Sequence, residues 1–304
     1  MASTPSDLDD GSPHLPEDLE RLIFERAAYE WTPEHSSKLL LIARRVYNWV
    51  HPLVYRVFIQ LESHKFPDFE TNSSLILDDV GKYVKHLLAG DDTAQLDLLL
   101  SSCPNIRNLA LWYSATLCNH VDAMRNLRLT TLSADLEDFP PQKLLSPTFY
   151  NLTHLDIINL GYDPSWKDWT VLADLPKLMH IMIALEFPDD NDVVEQCLEH
   201  CKVLQLFVFW KESGLGFPTE TRDLEAISDE RLVLVRHDSD LSKELRHEWD
   251  KGARGGIYYW MTAEVFAIAR KRGFLLNPKQ RWIGSSLDWN EELNERGLLW
   301  FSTL

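Results

Sequence analysis

Cys103-Pro104-Asn105-Ile106-Arg107-Asn108-Leu109-Ala110-Leu111-Trp112 returns further down the chain as Cys201-Lys202-Val203-Leu204-Gln205-Leu206-Phe207-Val208-Phe209-Trp210. The cysteine, three apolar positions and the closing tryptophan keep the same spacing in both stretches. Reduced to apolar-x-x-apolar-x-apolar, the pattern occurs at Val84/Leu87/Ala89, Ile106/Leu109/Leu111, Leu129/Leu132/Ala134, Leu152/Leu155/Ile157, Leu178/Ile181/Ile183 and Leu204/Phe207/Phe209. Successive central residues lie 22, 23, 23, 26 and 26 positions apart. The last two apolar residues of each copy are two apart, so in a strand both point to the same side.

These steps fall within the roughly 20–29 residues of a leucine-rich repeat, whose unit is a short strand and a return segment. The stretches between copies carry helical spacing, as in Leu96/Leu99/Leu100 and Val194/Cys197/Leu198. One unit cannot bury its own apolar side, and stacking such units makes a continuous core. The expected fold class is therefore α/β, an irregular leucine-rich-repeat solenoid with a parallel sheet over residues 62–240. A seventh strand is expected at Leu232-Val233-Leu234-Val235, centred on Val233, with Glu230 in the first apolar place.

Strand alternation also predicts a partner surface. If Leu109 and Leu111 point inward, then Asn108, Ala110 and Trp112 point to the opposite face. The same register puts His86, Thr131, Asp135, His154, Asp156, His180, Met182, Leu206 and Trp210 there. Of these, His86, Trp112, Asp135, His154, Asp156, Met182 and Trp210 are the expected contacts to a target protein, with tryptophan as the anchoring residue type. The competing expectation is that terminal helices or loops cover Trp112 and Trp210.

Upstream of the repeat, Leu15-Pro16-Glu17-Asp18 suits a first helical turn, and Leu19, Leu22, Ile23 and Ala27 follow on one face. Thr32-Pro33-Glu34 marks a second start, leading to Leu39, Ile42, Val46, Trp49 and Leu53. Pro52 is expected to break this helix or to begin another. Leu15, Pro16, Glu17, Leu19, Ile23, Phe24, Leu39, Leu41, Trp49, Pro52, Leu53, Tyr55 and Arg56 together resemble the F-box motif, and the order of the two parts resembles F-box/leucine-rich-repeat proteins, particularly the fungal F-box-like sets. The linker Ala27-Ala28-Tyr29-Glu30-Trp31-Thr32-Pro33 departs from the Leu-Pro and Asp-Leu that many members carry there. The resemblance implies that residues 14–61 dock a Skp-type adaptor of a cullin ubiquitin ligase through Leu15, Pro16, Leu19, Ile23, Trp49, Pro52 and Leu53. The alternative is a leucine-rich-repeat binding scaffold with a degenerate F-box and no ligase role, its N-terminal helices merely capping the first repeat.

Composition narrows the remaining classes. The 304 residues carry a net charge of −17, which repels nucleic acid and anionic membranes at long range. No stretch approaches the roughly 18 apolar residues of a membrane span, and residues 1–13 form an acidic tail without a secretory pattern, so a cytoplasmic or nuclear protein is expected. Cys197-x-x-His200-Cys201 has the residue types of a metal site but no second half nearby, and both cysteines sit where the core needs apolar groups. Gly252-Ala253-Arg254-Gly255-Gly256 lacks the spacing of a phosphate loop and follows a helix, Ser242 to Lys251, so a helix end and turn are expected. No nucleophile–base pattern stands out, and the chain is read as a non-enzyme without catalytic residues, metal or cofactor. Residues 241–304 are expected to cap the open end of the sheet. Their helices carry Leu245/Trp249 and Ala263/Phe266/Ala267/Arg270. A further helix is expected at Ser286–Arg296, and Trp282, Trp289 and Trp300 are left to dock on the solenoid or on a partner.

Overall fold

A computed structural model describes residues 15–62, 64–69, 75–90, 96–112, 117–159, 165–184, 191–212, 224, 226–237, 241–284 and 289–304. The chain divides into two compact units, one ending at Val54 and the other beginning at Tyr55. The helical unit closes before the limit of 61 expected from sequence. Among the described residues, no helix is long and apolar enough to cross a membrane.

The first unit contains α1 (Glu17–Glu30), α2 (Pro33–Leu39) and α3 (Arg44–Val54). Glu17, Asp18 and Glu20 fill the first turn of α1, where the helix dipole favours negative charge. α1 is tied to α3 by Arg45, which donates to both oxygens of Glu20 at 2.9 and 2.7 Å. Val46, Val50 and Val54, four residues apart, make the buried stripe of α3. The single second helix expected from Thr32 onward is two, separated by a turn at 40–43, and Pro52 lies inside α3. Having no N–H, it cannot make the helical bond to the Asn48 carbonyl one turn back.

The second unit is built on one open ten-stranded sheet. Its elements run β1 (Val57–Leu61), β2 (His64–Phe66), α4 (Leu77–Val80), β3 (His86–Ala89), α5 (Leu96–Ser102), β4 (Asn108–Leu111), α6 (Leu117–Met124), β5 (Thr131–Asp135) and β6 (His154–Asn159). They continue with α7 (Trp166–Trp169), β7 (His180–Ala184), α8 (Asn191–His200), β8 (Leu206–Glu212), β9 (Leu232–His237), α9 (Leu241–Ala253), α10 (Tyr259–Lys271), β10 (Trp282–Ile283) and α11 (Glu295–Phe301). Strands β3 to β9 lie side by side in chain order, all parallel, with β10 at one edge and the β1–β2 hairpin at the other.

The register follows the repeat. Leu87, Leu109, Leu132, Leu155, Ile181 and Phe207 are partners across successive strands, and each is fully buried. The first apolar positions, Val84, Ile106, Leu129, Leu152, Leu178 and Leu204, and the third, Ala89, Leu111, Ala134, Ile157, Ile183 and Phe209, join the same core. Apolar residues of α5, α6 and α8 pack on these rows, so the return segments cover this face. Close stacking leaves no room at Gly81, where an added Cβ would lie 2.5 Å from the carbonyl oxygen of Ser102.

Four expectations are corrected. Phe207 pairs with Leu232, not Val233, so the seventh strand is shifted by one residue: Leu232 and Leu234 face the repeat core and Val233 and Val235 the other side. Val57-Phe58-Ile59-Gln60-Leu61, counted with the helical segment, is a buried strand paired with β3. Of the C-terminal segment, only the short strand β10 closes the end of the sheet, and the helices expected there lie on a face instead. α9 and α10, with Leu275, Ile283, Trp289 and Leu293, pack over the second face against Leu88, Ala110, Met182, Val208, Trp210 and Val233. A sheet with two apolar faces must be covered on both, as parallel sheets generally are. Gly297, expected just past a helix ending at Arg296, lies buried inside α11. Gly255 has φ +82° and makes the turn after α9 expected of that glycine-rich run.

Candidate functional site

In the helical unit, Leu15, Leu19, Leu22 and Ile23 are 48, 49, 61 and 57% exposed. Leu19, Leu22 and Ile23, three and four residues apart, share one side of α1, Leu15 lies just before its start, and Glu20 reaches across to α3. Pro16 is also exposed, and Trp49, Pro52 and Leu53 on α3 are half-buried. Of the seven residues expected to hold an adaptor, Leu15 and Pro16 lie just before α1, Leu19 and Ile23 lie on it, and Trp49, Pro52 and Leu53 lie on α3, which packs against it; Leu15, Leu19 and Ile23 are in water. Leu41 and Ile42, in the turn before α3, are exposed as well.

In the sheet unit, the residues expected to meet a target share one face, but that face is interior. Trp112, Asp156, Met182 and Trp210 are buried, and His86, Asp135 and His154 are half-buried. Trp112 donates from Nε1 to the Ser133 hydroxyl at 2.8 Å, and Trp210 meets the ring of Tyr259 edge-on at 4.9 Å. Asp135 sits at the end of β5 and accepts from the backbone N–H of Glu137 at 3.0 Å. The imidazole of His86 is pushed down to about 3, first by burial and then by the nearby Arg56, Lys85 and Arg254. The covering elements are fixed by polar contacts too: Trp249 Nε1 donates to Asn108 Oδ1 at 3.1 Å, Arg56 to the Ala253 carbonyl at 2.9 Å, and Arg270 to the Leu232 carbonyl at 2.8 Å.

At the centre of this interface lies a polar cluster. Asp156 on β6 accepts from Trp260 Nε1 at 3.1 Å, and burial raises its carboxyl to about 7 even though Tyr259, Trp260 and Ser133 draw it down. His154 and His180 are register partners on β6 and β7, so their rings stack with centroids 4.2 Å apart and planes within 3°. Trp260 meets both rings edge-on, at 5.5 and 5.4 Å. Glu264, one helical turn beyond Trp260, accepts from His180 Nε2 at 2.8 Å, which holds its carboxyl below the usual range. Burial, then the neighbouring His180, lowers His154 to about 4. His154, His180 and Glu264 each bring one metal-ligating atom within 4.8 Å of the others.

Glu264 and Trp260 were not picked out by the sequence reading. Their signal was present, because residues four apart on a helix share a face, but nothing local showed that this face meets the sheet. The Cys197/His200/Cys201 run behaves differently. Cys197 and Cys201 are buried free thiols, whereas His200 is exposed and stacks on Trp166 at 5.7 Å. A hydrogen bond with Cys201, and then burial, keep the Cys197 thiol well above its ordinary range. No family model and no curated protein matches this sequence.

Proposed function

We propose that the protein is a substrate-recognition subunit of a Skp–cullin–F-box ubiquitin ligase, with an F-box-like helical unit and a leucine-rich-repeat-like solenoid. The reading rests chiefly on Leu15, just before α1, and on Leu19, Leu22 and Ile23 of α1, which remain exposed while the unit buries the valines of α3. A stripe of large apolar side chains in water marks a surface made for another protein. The occupant would be the Skp-type adaptor implied by the F-box resemblance of Leu15 to Arg56. The chain itself would do no chemistry, acting by bringing a target near the charged enzyme. With α9 and α10 over the sheet face, target recognition falls to other surfaces of the repeat unit.

The test is capture of a purified Skp-type adaptor by the full chain, compared with the double variant Leu15→Asp/Leu19→Asp. Both side chains are exposed, so the variant should fold with an unchanged circular dichroism spectrum and melting temperature. Capture by the wild type and its loss in the variant is the expected result. Absence of capture by the wild type, or equal capture by the variant, overturns the docking assignment in favour of a scaffold without ligase function.

A further inference from the structure

We propose that His154, His180 and Glu264 form a binding site for one divalent transition-metal ion of the zinc class, linking α10 to strands β6 and β7. The inference stands apart from the ligase reading, because it concerns only the covered face of the repeat unit.

The geometry begins with the repeat. Because His154 and His180 occupy equivalent positions of consecutive coils, parallel pairing sets them side by side and stacks their rings. Two imidazoles offered from adjacent strands at one height are half of a zinc ligand set. The third ligand comes from the layer above, where Glu264 points down from α10 to within 2.8 Å of His180 Nε2. Two imidazole nitrogens and one carboxylate suit zinc and its neighbours, while calcium and magnesium prefer all-oxygen shells.

The protonation pattern leaves lone pairs where an ion needs them. The Thr153 hydroxyl donates to the Thr130 carbonyl at 3.0 Å, so its single hydrogen is committed. Its contact of 2.9 Å with His154 Nδ1 then requires the ring nitrogen to donate, which puts the proton on Nδ1 and leaves Nε2 bare. A ring nitrogen held by an oriented partner behind it is the usual outer shell of a metal-bound histidine. The Glu264 carboxylate supplies the countercharge. At His180 the ion takes the place of the hydrogen now between Nε2 and Glu264, and the ring proton moves to Nδ1, which has no other hydrogen-bond partner.

A tetrahedral zinc ion, with bonds of about 2.1 Å, sets its ligand atoms roughly 3.4 Å apart. One ring nitrogen of each histidine and one carboxylate oxygen lie within 4.8 Å of one another, and rotations of the side chains close that difference. The Glu264 side chain is 44% exposed and His154 is half-buried, so the cluster opens to water on one side, which gives the ion entry and a fourth ligand. Trp260, anchored on Asp156, walls off the other side.

The test uses the full chain stripped with chelator and dialysed, then titrated with zinc by calorimetry and with cobalt(II) by visible absorption. The expected result is one ion per chain, the intense visible bands of tetrahedral cobalt, and a rise in melting temperature with excess zinc that calcium and magnesium do not produce. Glu264→Gln and His154→Gln, both at partly exposed positions and checked for an unchanged metal-free melt, should each weaken zinc binding at least tenfold. Cys201→Ser should bind as the wild type does. Failure of the wild type to bind one zinc, unaltered binding in both ligand variants, or loss of binding only in Cys201→Ser would overturn the site.

Discussion

Replacing Asp156 by Asn tests whether the sheet face under α10 is a closed interior. Burial raises the carboxyl from 3.8 to about 7, so the folded protein holds a proton there that the unfolded chain releases. A group whose folded pKa is raised contributes stability that is complete below about pH 4 and is lost as pH climbs through about 7. At 1.36 kcal/mol per pKa unit, the wild type loses roughly 2.5 kcal/mol from this group between pH 5 and 8. Asn keeps the shape, can still accept from Trp260 and does not titrate. His86 and His154 act with the opposite sign: their folded values, about 3 and about 4, lie below the ordinary 6.5, so what they contribute is present above 6.5 and is lost as pH falls. Both histidines remain in the variant, so the difference between the two proteins isolates Asp156. Urea unfolding followed by tryptophan fluorescence, at pH 5, 6, 7 and 8 in chelator-containing buffer, should show the wild type losing ground to Asp156→Asn by roughly 2.5 kcal/mol across the range. A difference that does not vary with pH would mean that Asp156 ionises as it does in water, and the covered face would be refuted.

Leu155→Ala removes a fully buried side chain between Leu132 and Ile181 in the central row and should cost about 2–5 kcal/mol in equilibrium unfolding, whereas a cost under about 1 kcal/mol would contradict the register. Gly81→Ala drives a methyl group to 2.5 Å from the Ser102 carbonyl, and the coils must part to admit it. The variant should lose about 1–3 kcal/mol, although alanine alone would favour the helical turn, and a stabilised variant would show that the coils do not touch there.

The inward rows were legible because the period recurs and because each copy carries its apolar residues at fixed places. The last strand was misplaced by one residue for a physical reason: Leu232-Val233-Leu234-Val235 is apolar on both parities, so alternation could not choose a face. The same ambiguity hides in Val57-Phe58-Ile59-Gln60-Leu61, which is buried on both sides. Trp112, Met182, Leu206 and Trp210 on the outward parity could have been taken as marks of a second covered face, since a solvated face would carry polar residues in most of those places. What covers that face was not legible, because the pairing of α9 and α10 with strands far back in the chain has no local signature. The histidine pair could be read from the repeat register, but Glu264 could be joined to it only by the structure.

The polar residues of the covered face also decide how α10 is seated. Apolar groups supply the attraction, with Trp260, Ala263, Phe266 and Ala269 packed in one cluster with the outward row of the sheet. Such contact is not directional, and alone it would tolerate a helix displaced along its axis. Directional contacts are made one turn apart, Trp260 to Asp156 on β6 and Glu264 to His180 on β7. A slip of one residue turns each side chain by about 100°, which would carry Glu264 off His180 and Trp260 off Asp156. Each buried polar group left without its partner costs about 1–3 kcal/mol, so a slipped arrangement is disfavoured even where its apolar burial is equal. The residues that set the register of α10 are thus the same ones that place Glu264 over the stacked histidines. A variant that relaxes the first, such as Trp260→Phe, should therefore loosen the second while most of the apolar contact remains.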